Sequence, residues 1–494
     1  MGLFMLKSKE VHKLPRTVMD RIFHDMNDLY TAFSEETLHR VISELNKYDC
    51  SPECINDIQQ LLSENALGKA ATNLQTSAKQ INYFTSEFNL LLPETYVLAE
   101  KENRTKDTLQ YVKINKMLSI LLKNDIFRAE INSQHVPNLE KNSILQDFCS
   151  GALYQNNAYF KENSHALQII LYFDQFEVAN PLGPARGEYK IAAFYFTLGN
   201  LRPELRLKLS CIFLAMLVLD SHIKKYGLEA VVKPLVDDLN VLAADGIEII
   251  INGNPVTYCG ILSYIVADNL GSHEIGGYLQ SFSGARICRH CNATKTQIQT
   301  VFNFEEYQRR TPEIYDYQAA RVEEDPETNT IYGINQASPF NKCHGFHAAT
   351  GLPPDVMHDL LEGVIPLTIK QILRYFVVER ILPSLEKLNK LILNFPYGAN
   401  DKANKPSALP KHLLKRKGDI KQTATKSWCL FRLLPLIIGN FIPAESPHWQ
   451  LYLLLKEIVD CILSPNIPQG MLGYLNKIIV QFLVDFTMLF QISP

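Results

Sequence analysis

Hydrophobic positions recur at helical spacing in the first third of the chain. A helix entering at Pro15 places one set of apolar side chains on a single face, at Val18, Ile22, Met26, Leu29, Tyr30 and Phe33. Similar patterns continue to about residue 131, and "INKMLSILLKNDIF" is the most apolar of them. We therefore predict an all-helical N-terminal region over residues 1–150.

The pattern changes at residue 166. The segments "ALQIILYFDQFEV" and "YKIAAFYFTLGN" are β-branched and aromatic, and "NPLGPARGE" between them predicts a hairpin turn. A third strand is predicted in "LRLKLSCIFLAML", a helix in "GLEAVVKPLVDDLNVLAADG", and further strands in "GIEIIING" and "PVTYCGILSYIVADN". The order β-β-β-α-β is typical of a ribonuclease-H-like mixed sheet. We therefore predict an α+β or α/β core over residues 151–291.

Two regions follow this core. Residues 292–350 are polar and rich in turn formers, which predicts a long extended loop. Residues 351–494 return to helical spacing, beginning with "DVMHDLLEGVIPLTIKQILRYFVVERIL", and predict a large C-terminal helical domain. Asp355 is the predicted N-cap of its first helix.

Composition narrows the class of protein. The chain has 494 residues, 46% of them hydrophobic and 20% charged, which indicates a globular protein of two or three domains. The net charge of -3 argues against a general polyanion binder, so a nucleic-acid surface would have to be local. Ten scattered cysteines, no recognisable signal peptide and no apolar run long enough to span a bilayer predict an intracellular protein outside the membrane.

Two carboxylates follow predicted strands. Asp174 ends the first strand and Asp268 ends the last, and these strands are neighbours in a ribonuclease-H-like sheet. Paired carboxylates repel each other unless a cation neutralises them, and hard oxygen ligands suit Mg²⁺ or Mn²⁺. Each residue taken singly is also typical of a turn or a helix cap, so the pairing carries the prediction.

Cysteine and histidine residues offer a second candidate site. Cys288 and Cys291 have the spacing of half a zinc knuckle, while a redox dithiol or an ordinary turn are the alternatives. Other donors nearby are His358 and the cluster "CHGFH" at residues 343–347, which is equally typical of a surface loop. His290 lies between the two cysteines and is poorly placed to join them.

A basic segment lies between residues 402 and 426. Such a cluster binds phosphates, although a solvated loop or a nuclear-import signal has the same composition. The candidate nucleic-acid-binding residues within it are Lys411, Lys415, Arg416, Lys417 and Lys421.

The order of these features resembles a known family. The segments "LYFDQFEVANPLG", "FYFTLGN", "KYGLEAVVKPLVDDL", "ICRHC", "PPDVMHDLLEGV" and "WCLFRLLPLIIGNFIP" are similar to DDE transposases of the CACTA (En/Spm) group with their Mirage and Chapaev relatives. The similarity extends over most of residues 10–485, and the catalytic subunit of the V(D)J recombinase looks like a more distant relative.

The resemblance implies roles for particular residues. It matches Asp174 and Asp268 to the first two acids of the DDE triad, Cys288 and Cys291 to a zinc-binding pair, and His358 to the family's Met-His. It implies a ribonuclease-H-like fold with a helical insertion, Mg²⁺ or Mn²⁺ and Zn²⁺ as cofactors, and no small-molecule cofactor. DNA is the implied partner, a homo-oligomer the implied assembly, and the nucleus the implied compartment.

The sequence also departs from the family pattern. The family's catalytic Glu follows the helical insertion, after a His-x4-His that closes the zinc site, and neither motif is found here. Glu362 lies too early in the chain to match that acid. We therefore expect a transposase remnant, truncated at both ends, with half a zinc site and no strand cleavage, or a domesticated DNA- or protein-binding protein without enzymatic activity.

Overall fold

The computed structural model describes residues 13, 15–48, 50–63, 74, 76–100, 105–133, 144–178, 189–282, 284–382, 384–415 and 418–491. The chain divides into two compact units, Met1–Leu92 and Pro93–Pro494. Helices and strands are interspersed along the described part of the chain, which confirms the prediction of an α+β architecture.

The first unit is helical where it is described. Its helices are α1 (Arg16–Leu45), α2 (Pro52–Ser63) and α3 (Ser77–Phe88), and its small core contains Met19, Leu74 and Phe84. The long α1 confirms the predicted helix. The predicted apolar face of α1 is not buried in a packed core, however, because the side chains of Leu29 and Phe33 are 72% and 65% exposed.

The prediction that residues 1–150 are all helical is wrong beyond residue 92. Strands β1 (Glu94–Glu100) and β2 (Lys106–Tyr111) pair antiparallel and join the edge of the main sheet. Alternating burial in β2, with Leu109 and Tyr111 in the core, is the strand pattern that the helical interpretation overlooks. Helices α4 (Ile114–Leu121) and α5 (Asp125–Ser133) follow, then the two-residue strand β3 (Ile144–Leu145) and short helices α6 (Ala152–Asn156) and α7 (Ala158–Glu162).

A six-stranded mixed sheet forms the centre of the second unit. Its strands lie in the order β1-β2-β6-β5-β4-β9, where the new members are β4 (Leu167–Glu177), β5 (Lys190–Leu198), β6 (Phe213–Leu219) and β9 (Gly260–Val266). The predicted hairpin is confirmed by the antiparallel pairing of β4 with β5, and β6 pairs antiparallel with β5. The last strand, β9, instead runs parallel to β4 and occupies the sheet edge beside it.

Helices surround β6 and lead on to β9. The short α8 (Pro203–Arg206) precedes β6, and α9 (Asp220–Tyr226) and α10 (Leu228–Ala244) follow it. The predicted segment "GIEIIING" is a strand, but among the described strands β7 (Ile247–Ile251) pairs only with β8 (Asn254–Tyr258), in a separate hairpin. Helix α10 buries Val231, Leu235 and Leu239 against the sheet, in the core that also contains Phe173 and Phe194.

The predicted extended loop over residues 292–350 is wrong. The region contains helices α12 (Lys295–Thr300), α13 (Pro312–Glu324) and α14 (Asn329–Tyr332), which follow α11 (Asn269–Ile275). Helix α13 buries Tyr315, Gln318, Ala319 and Val322, a narrow face with only two large apolar side chains. So few apolar positions leave a weak helical signal in the sequence.

The C-terminal helical domain is present as predicted and has its own core. A π-helical segment at Met357–Val364 runs into α15 (Ile365–Val378), and α16 (Leu385–Asn394), α17 (Ala424–Ile438), α18 (Pro447–Ile462) and α19 (Met471–Phe490) follow. Short 3-10 turns link the elements of the second unit at Phe148–Ser150, Leu209–Cys211, Phe304–Glu306, Pro326–Thr328, Pro339–Lys342, Lys402–Asn404, Lys411–Leu414 and Gly439–Phe441.

A two-residue strand connects this domain to the rest of the unit. Strand β10 (Ile467–Pro468) pairs antiparallel with β3, and the Gln146 side chain donates to Asn466 at 2.7 Å. Within the described part of the chain, α19 alone is long and apolar enough to cross a membrane by length and composition. Its Ile478, Phe482 and Phe486 are buried in the helical core, while 17% of its most apolar window is buried in all.

Candidate functional site

Asp174 lies on the exposed face of β4. Phe173 and Leu171 point into the core, while Tyr172 and Asp174 alternate with them toward solvent. The aromatic and β-branched residues around Asp174 favour the pleated strand that produces this alternation. The strand continues to Glu177, so Asp174 is within the strand and does not end it as predicted.

Asp268 begins the helix that follows β9. Its Oδ1 atom accepts the backbone N–H of Gly271 at 2.6 Å, so the residue is the N-cap of α11. The side chain is exposed, and the cap uses one of its two carboxylate oxygens. Capping therefore does not exclude a second role for this carboxylate.

Pairing between β4 and β9 brings the two acids to the same edge of the sheet. Leu171 lies opposite Ile265 and Tyr172 opposite Val266 in parallel register. The pairs end there and β9 ends at Val266, so Asp174 and Asp268 each lie two residues beyond the last pair, at the same edge of the sheet. The register brings the two chain segments to the same edge of the sheet, and the juxtaposition of the two carboxylates stays a prediction.

Tyr172 experiences the charge of this group. Partial burial, then the neighbouring Asp174 carboxylate, then Asp268 and Asp355 raise the pKa of the Tyr172 hydroxyl to about 12. Three carboxylates thus act on one side chain. The sequence predicts Asp355 only as a helix cap, so its presence at this edge is a feature that the sequence does not reveal.

Asp355 and His358 form a tight pair at the start of the π-helical segment. Oδ1 of Asp355 accepts the N–H groups of Met357 at 2.9 Å and His358 at 3.2 Å, which confirms the N-cap role. Its Oδ2 atom bonds Nδ1 of His358. The Asp355 carboxylate, then Glu362 and Asp268 at longer range, raise the pKa of His358 against a smaller effect of burial.

A polar bridge joins this segment to the helix that Asp268 caps. The Asn269 amide donates to Asp359 at 2.6 Å and accepts from the Arg289 guanidinium at 2.7 Å. Arg289 is itself buried and also donates to the carbonyl of Pro353 at 2.9 Å. These bonds hold residues 353–359 beside α11, which is why Asp355 lies near Asp268 and Asp174.

A second acidic group borders the first. Gln175, next to Asp174, donates to Glu274 of α11 at 2.9 Å and accepts from Lys190 at 2.6 Å. Burial, and then the charge of Asp220, raise the pKa of Glu274. Sequence reasoning overlooks Glu274, although its position six residues after Asp268 places it on the helix that the acid caps.

Cys288 and Cys291 lie side by side. The Cys291 thiol donates to the Cys288 sulfur, which lowers the pKa of Cys288 and raises the pKa of Cys291, and the His290 N–H also points to the Cys288 sulfur at 3.3 Å. All ten cysteines are free thiols. The pair is therefore compatible with half a zinc site.

Three of the other donors proposed for zinc are engaged elsewhere. His358 is paired with Asp355, while the His347 ring bonds Asn341 and Asp316, each at 3.1 Å. Cys343 is buried in the sheet core, where burial raises its pKa to about 12. In the part of the chain that the structure describes, no three His, Cys, Asp or Glu side chains form a metal-binding group. Two thiols alone do not fit a four-coordinate zinc ion.

Three lysines of the basic segment are exposed. Lys411, Lys415 and Lys421 are exposed, and none of the three has a carboxylate within salt-bridge distance among the described residues. Arg416 and Lys417 lie outside the described residues. The lysines are therefore accessible to a polyanion, while Lys426 instead donates to Ser407 at 2.8 Å.

Comparisons with known proteins add no relative to this picture. No protein-family model matches the chain, and no curated protein matches it.

Proposed function

We propose that this protein derives from a DDE DNA transposase and keeps its two-carboxylate metal site without strand-cleaving activity. The observation that supports the proposal is the parallel pairing of β9 with β4, which brings the segments of Asp174 and Asp268 to the same edge of the sheet. The resemblance described above supplies the family, and the geometry supplies a reason why these two acids act together.

The strand order supports a ribonuclease-H-like core. Strands β6, β5 and β4 form an antiparallel trio, and the chain then crosses through helices before β9 adds parallel to β4. That is the β-β-β-α-β order predicted from the sequence. The β1–β2 hairpin extends the opposite edge, and the β7–β8 hairpin is inserted before β9, so the core carries additions on both sides.

The donor chemistry fits a hard divalent cation. Asp174 and Asp268 are exposed carboxylates on adjacent backbones, and oxygen donors with open positions suit Mg²⁺ or Mn²⁺. When bound, such an ion neutralises the two carboxylates and attracts a phosphodiester oxygen. Asp174 and Asp268 would hold such an ion.

The number of metal-binding acidic residues argues against DNA cleavage. The resemblance matches no residue of this sequence to the third acid of the family, and losing one metal-binding acid raises the barrier to the chemical step. Asp355 also raises the pKa of Tyr172, so it is the candidate to replace the third acid. Both of its carboxylate oxygens, however, already accept hydrogen bonds from Met357 and His358. We therefore propose DNA binding in the nucleus without strand transfer.

A DNA-binding role without any metal chemistry is the second candidate. The observation that favours it is the exposed set Lys411, Lys415 and Lys421, which attracts a DNA backbone whether or not an ion is bound.

Manganese binding tests the proposal. Electron paramagnetic resonance measures free Mn²⁺ during a titration, and we expect Asp174→Asn and Asp268→Asn each to weaken binding at least tenfold. Asp245→Asn, at an exposed position after α10, is the matched control and leaves affinity unchanged. Equal Mn²⁺ affinity in the unmodified protein and the Asp174→Asn, Asp268→Asn double variant would overturn the metal site.

Plasmid nicking tests the absence of cleavage. Supercoiled DNA with Mn²⁺ and the purified protein is expected to relax no faster than with the double variant. Nicking that needs Asp174 and Asp268 would support the metal site but contradict the loss of cleavage, and it would make the protein a nuclease.

A further inference from the structure

Helix α19 buries only a small part of its apolar surface. Its fully buried side chains, Ile478, Phe482 and Phe486, recur every four residues on the side that faces the core of the helical domain. In its most apolar window, 17% of the residues are buried. A large apolar surface of this helix is therefore left for a partner to cover.

The uncovered side of α19 carries a row of apolar side chains. Val480, Val484 and Met488 are spaced four residues apart, which places them on one side of the helix. The two valines are half-buried and Met488 is 65% exposed. None of the three is among the apolar side chains that pack on the core within the described part of the domain.

Polar side chains lie beside this row. Lys477 and Gln481 are exposed, and the amide of Gln481 donates to the Asp485 carboxylate at 2.7 Å. Among the described residues, neither Lys477 nor Asp485 has an oppositely charged side chain within salt-bridge distance. Charged side chains are expensive inside a bilayer, so lipid does not fit this side of the helix. A protein surface with complementary charges does.

The two charges make the helix complementary to itself. Lys477 lies four residues before Gln481, and Asp485 lies four residues after it. When two copies of α19 cross antiparallel near Gln481, each Lys477 therefore faces the Asp485 carboxylate of the second copy. A parallel pair would instead set like charges against each other. The charges thus favour the antiparallel pair, in which the same surface of both copies meets across a two-fold axis.

The apolar row fits the same arrangement. Val480 and Val484 lie on either side of Gln481, so the valines of the two copies meet at the centre of the contact. Rows of residues four apart that pack into each other's grooves are the commonest form of helix packing. Met488 has a flexible side chain, which fills irregular space toward the end of the contact. Apolar contact supplies the attraction, and the two ion pairs set the direction of the helices.

We propose that α19 is the surface through which two copies of this protein associate, antiparallel and related by a two-fold axis. One helix face from each copy is a small interface, so we expect a dimer that forms at micromolar concentration and weakens at high salt. The proposal does not rest on the two-carboxylate site or on DNA binding, so either can fail without the other.

Sedimentation equilibrium of the full chain over a range of micromolar concentrations measures this association. Lys477→Glu brings two carboxylates together at each end of the contact, and Asp485→Lys brings two ammonium groups together there. We expect each single variant to weaken dimerisation at least fivefold. The double variant Lys477→Glu, Asp485→Lys exchanges the two charges, so we expect it to restore dimerisation. Restoration would also show that the single variants do not act through misfolding.

Lys387→Glu is the matched control. Lys387 is an exposed lysine of α16 in the same domain, and no carboxylate lies within salt-bridge distance of it among the described residues. This variant changes the net charge by the same amount as Lys477→Glu, so a general effect of charge on association would appear in both. We expect the control to dimerise like the unmodified protein.

The outcomes are distinct. Weakening by each single variant, restoration by the double variant and no effect of the control support the antiparallel contact. A chain that stays monomeric at every concentration, or a dimer that the single variants do not weaken, overturns the proposal. Equal weakening by the control, or a double variant that does not restore the dimer, overturns it too. Cosedimentation with phosphatidylcholine vesicles would make lipid the occupant of this surface and would likewise contradict the proposal.

Discussion

Replacing Gly260 by alanine tests the parallel pairing on which the acid geometry depends. Gly260 begins β9 directly against Leu167 of β4. A Cβ atom at Gly260 would lie 2.6 Å from both the Cβ atom and the carbonyl oxygen of Leu167. Carbon contacts are most favourable at about 3.5–4.0 Å, so the two strands would have to separate by about 1 Å.

The expected cost follows from this overlap. Forcing a methyl group into a packed interior costs about 1–3 kcal/mol. Separation also weakens the bond from the Leu167 N–H to the Cys259 carbonyl, now 2.8 Å, and a typical hydrogen bond contributes about 1 kcal/mol. The ordinary gain of about 0.4–1 kcal/mol from replacing glycine offsets part of this, so we expect a net destabilisation of about 1–3 kcal/mol.

Urea unfolding followed by circular dichroism measures the change in the free energy of unfolding. Gly473→Ala is the matched control, because it lies in α19 with no atom within 4 Å of the added methyl group. We expect that control to be more stable by about 0.5–1 kcal/mol. A Gly260→Ala protein as stable as the unmodified one would refute the close approach of β9 to β4, and with it the opposition of Asp174 and Asp268.

Two further predictions concern charge. The pKa of His358 is raised by Asp355, so the stabilisation from this pair is complete below about pH 6.5 and is lost as pH rises through the folded-state pKa. An NMR titration is expected to show a raised His358 pKa in the unmodified protein and a lower one in Asp355→Asn. Identical titrations of the two proteins would contradict the pairing. Neutralising Lys411, Lys415 and Lys421 together is expected to weaken DNA binding and to reduce the slope of log affinity against log salt by about 0.9 for each phosphate that the variant no longer neutralises. A slope that does not change would exclude these lysines from the DNA interface.

The centre of the sheet is predictable because its local signals are strong. The dense β-branched and aromatic residues of β4 and β5 lie in one hairpin of neighbouring sequence, so both the strands and their pairing can be predicted. Strands β1 and β2 are overlooked because both carry charged residues such as Glu94 and Lys106, and the edge strand β1 has no buried residue. Helix α13 is overlooked because tertiary packing, through Gln318 among others, buries a face with little apolar character.

The candidate site likewise contains residues that the sequence predicts and residues that it does not predict. Asp174 and Asp268 are predicted as a pair because each follows strand residues of recognisable pattern. Asp355 cannot be assigned to the site from sequence, since the bridge through Asn269 and Arg289 that holds it there joins segments far apart in the chain.

Crystals of the protein soaked in MnCl₂ give the most direct test of the central claim. The account predicts an anomalous difference peak between the carboxylates of Asp174 and Asp268, and its loss in the Asp174→Asn, Asp268→Asn double variant. A manganese peak at other residues, or an empty position between these two acids at saturating Mn²⁺, would contradict it.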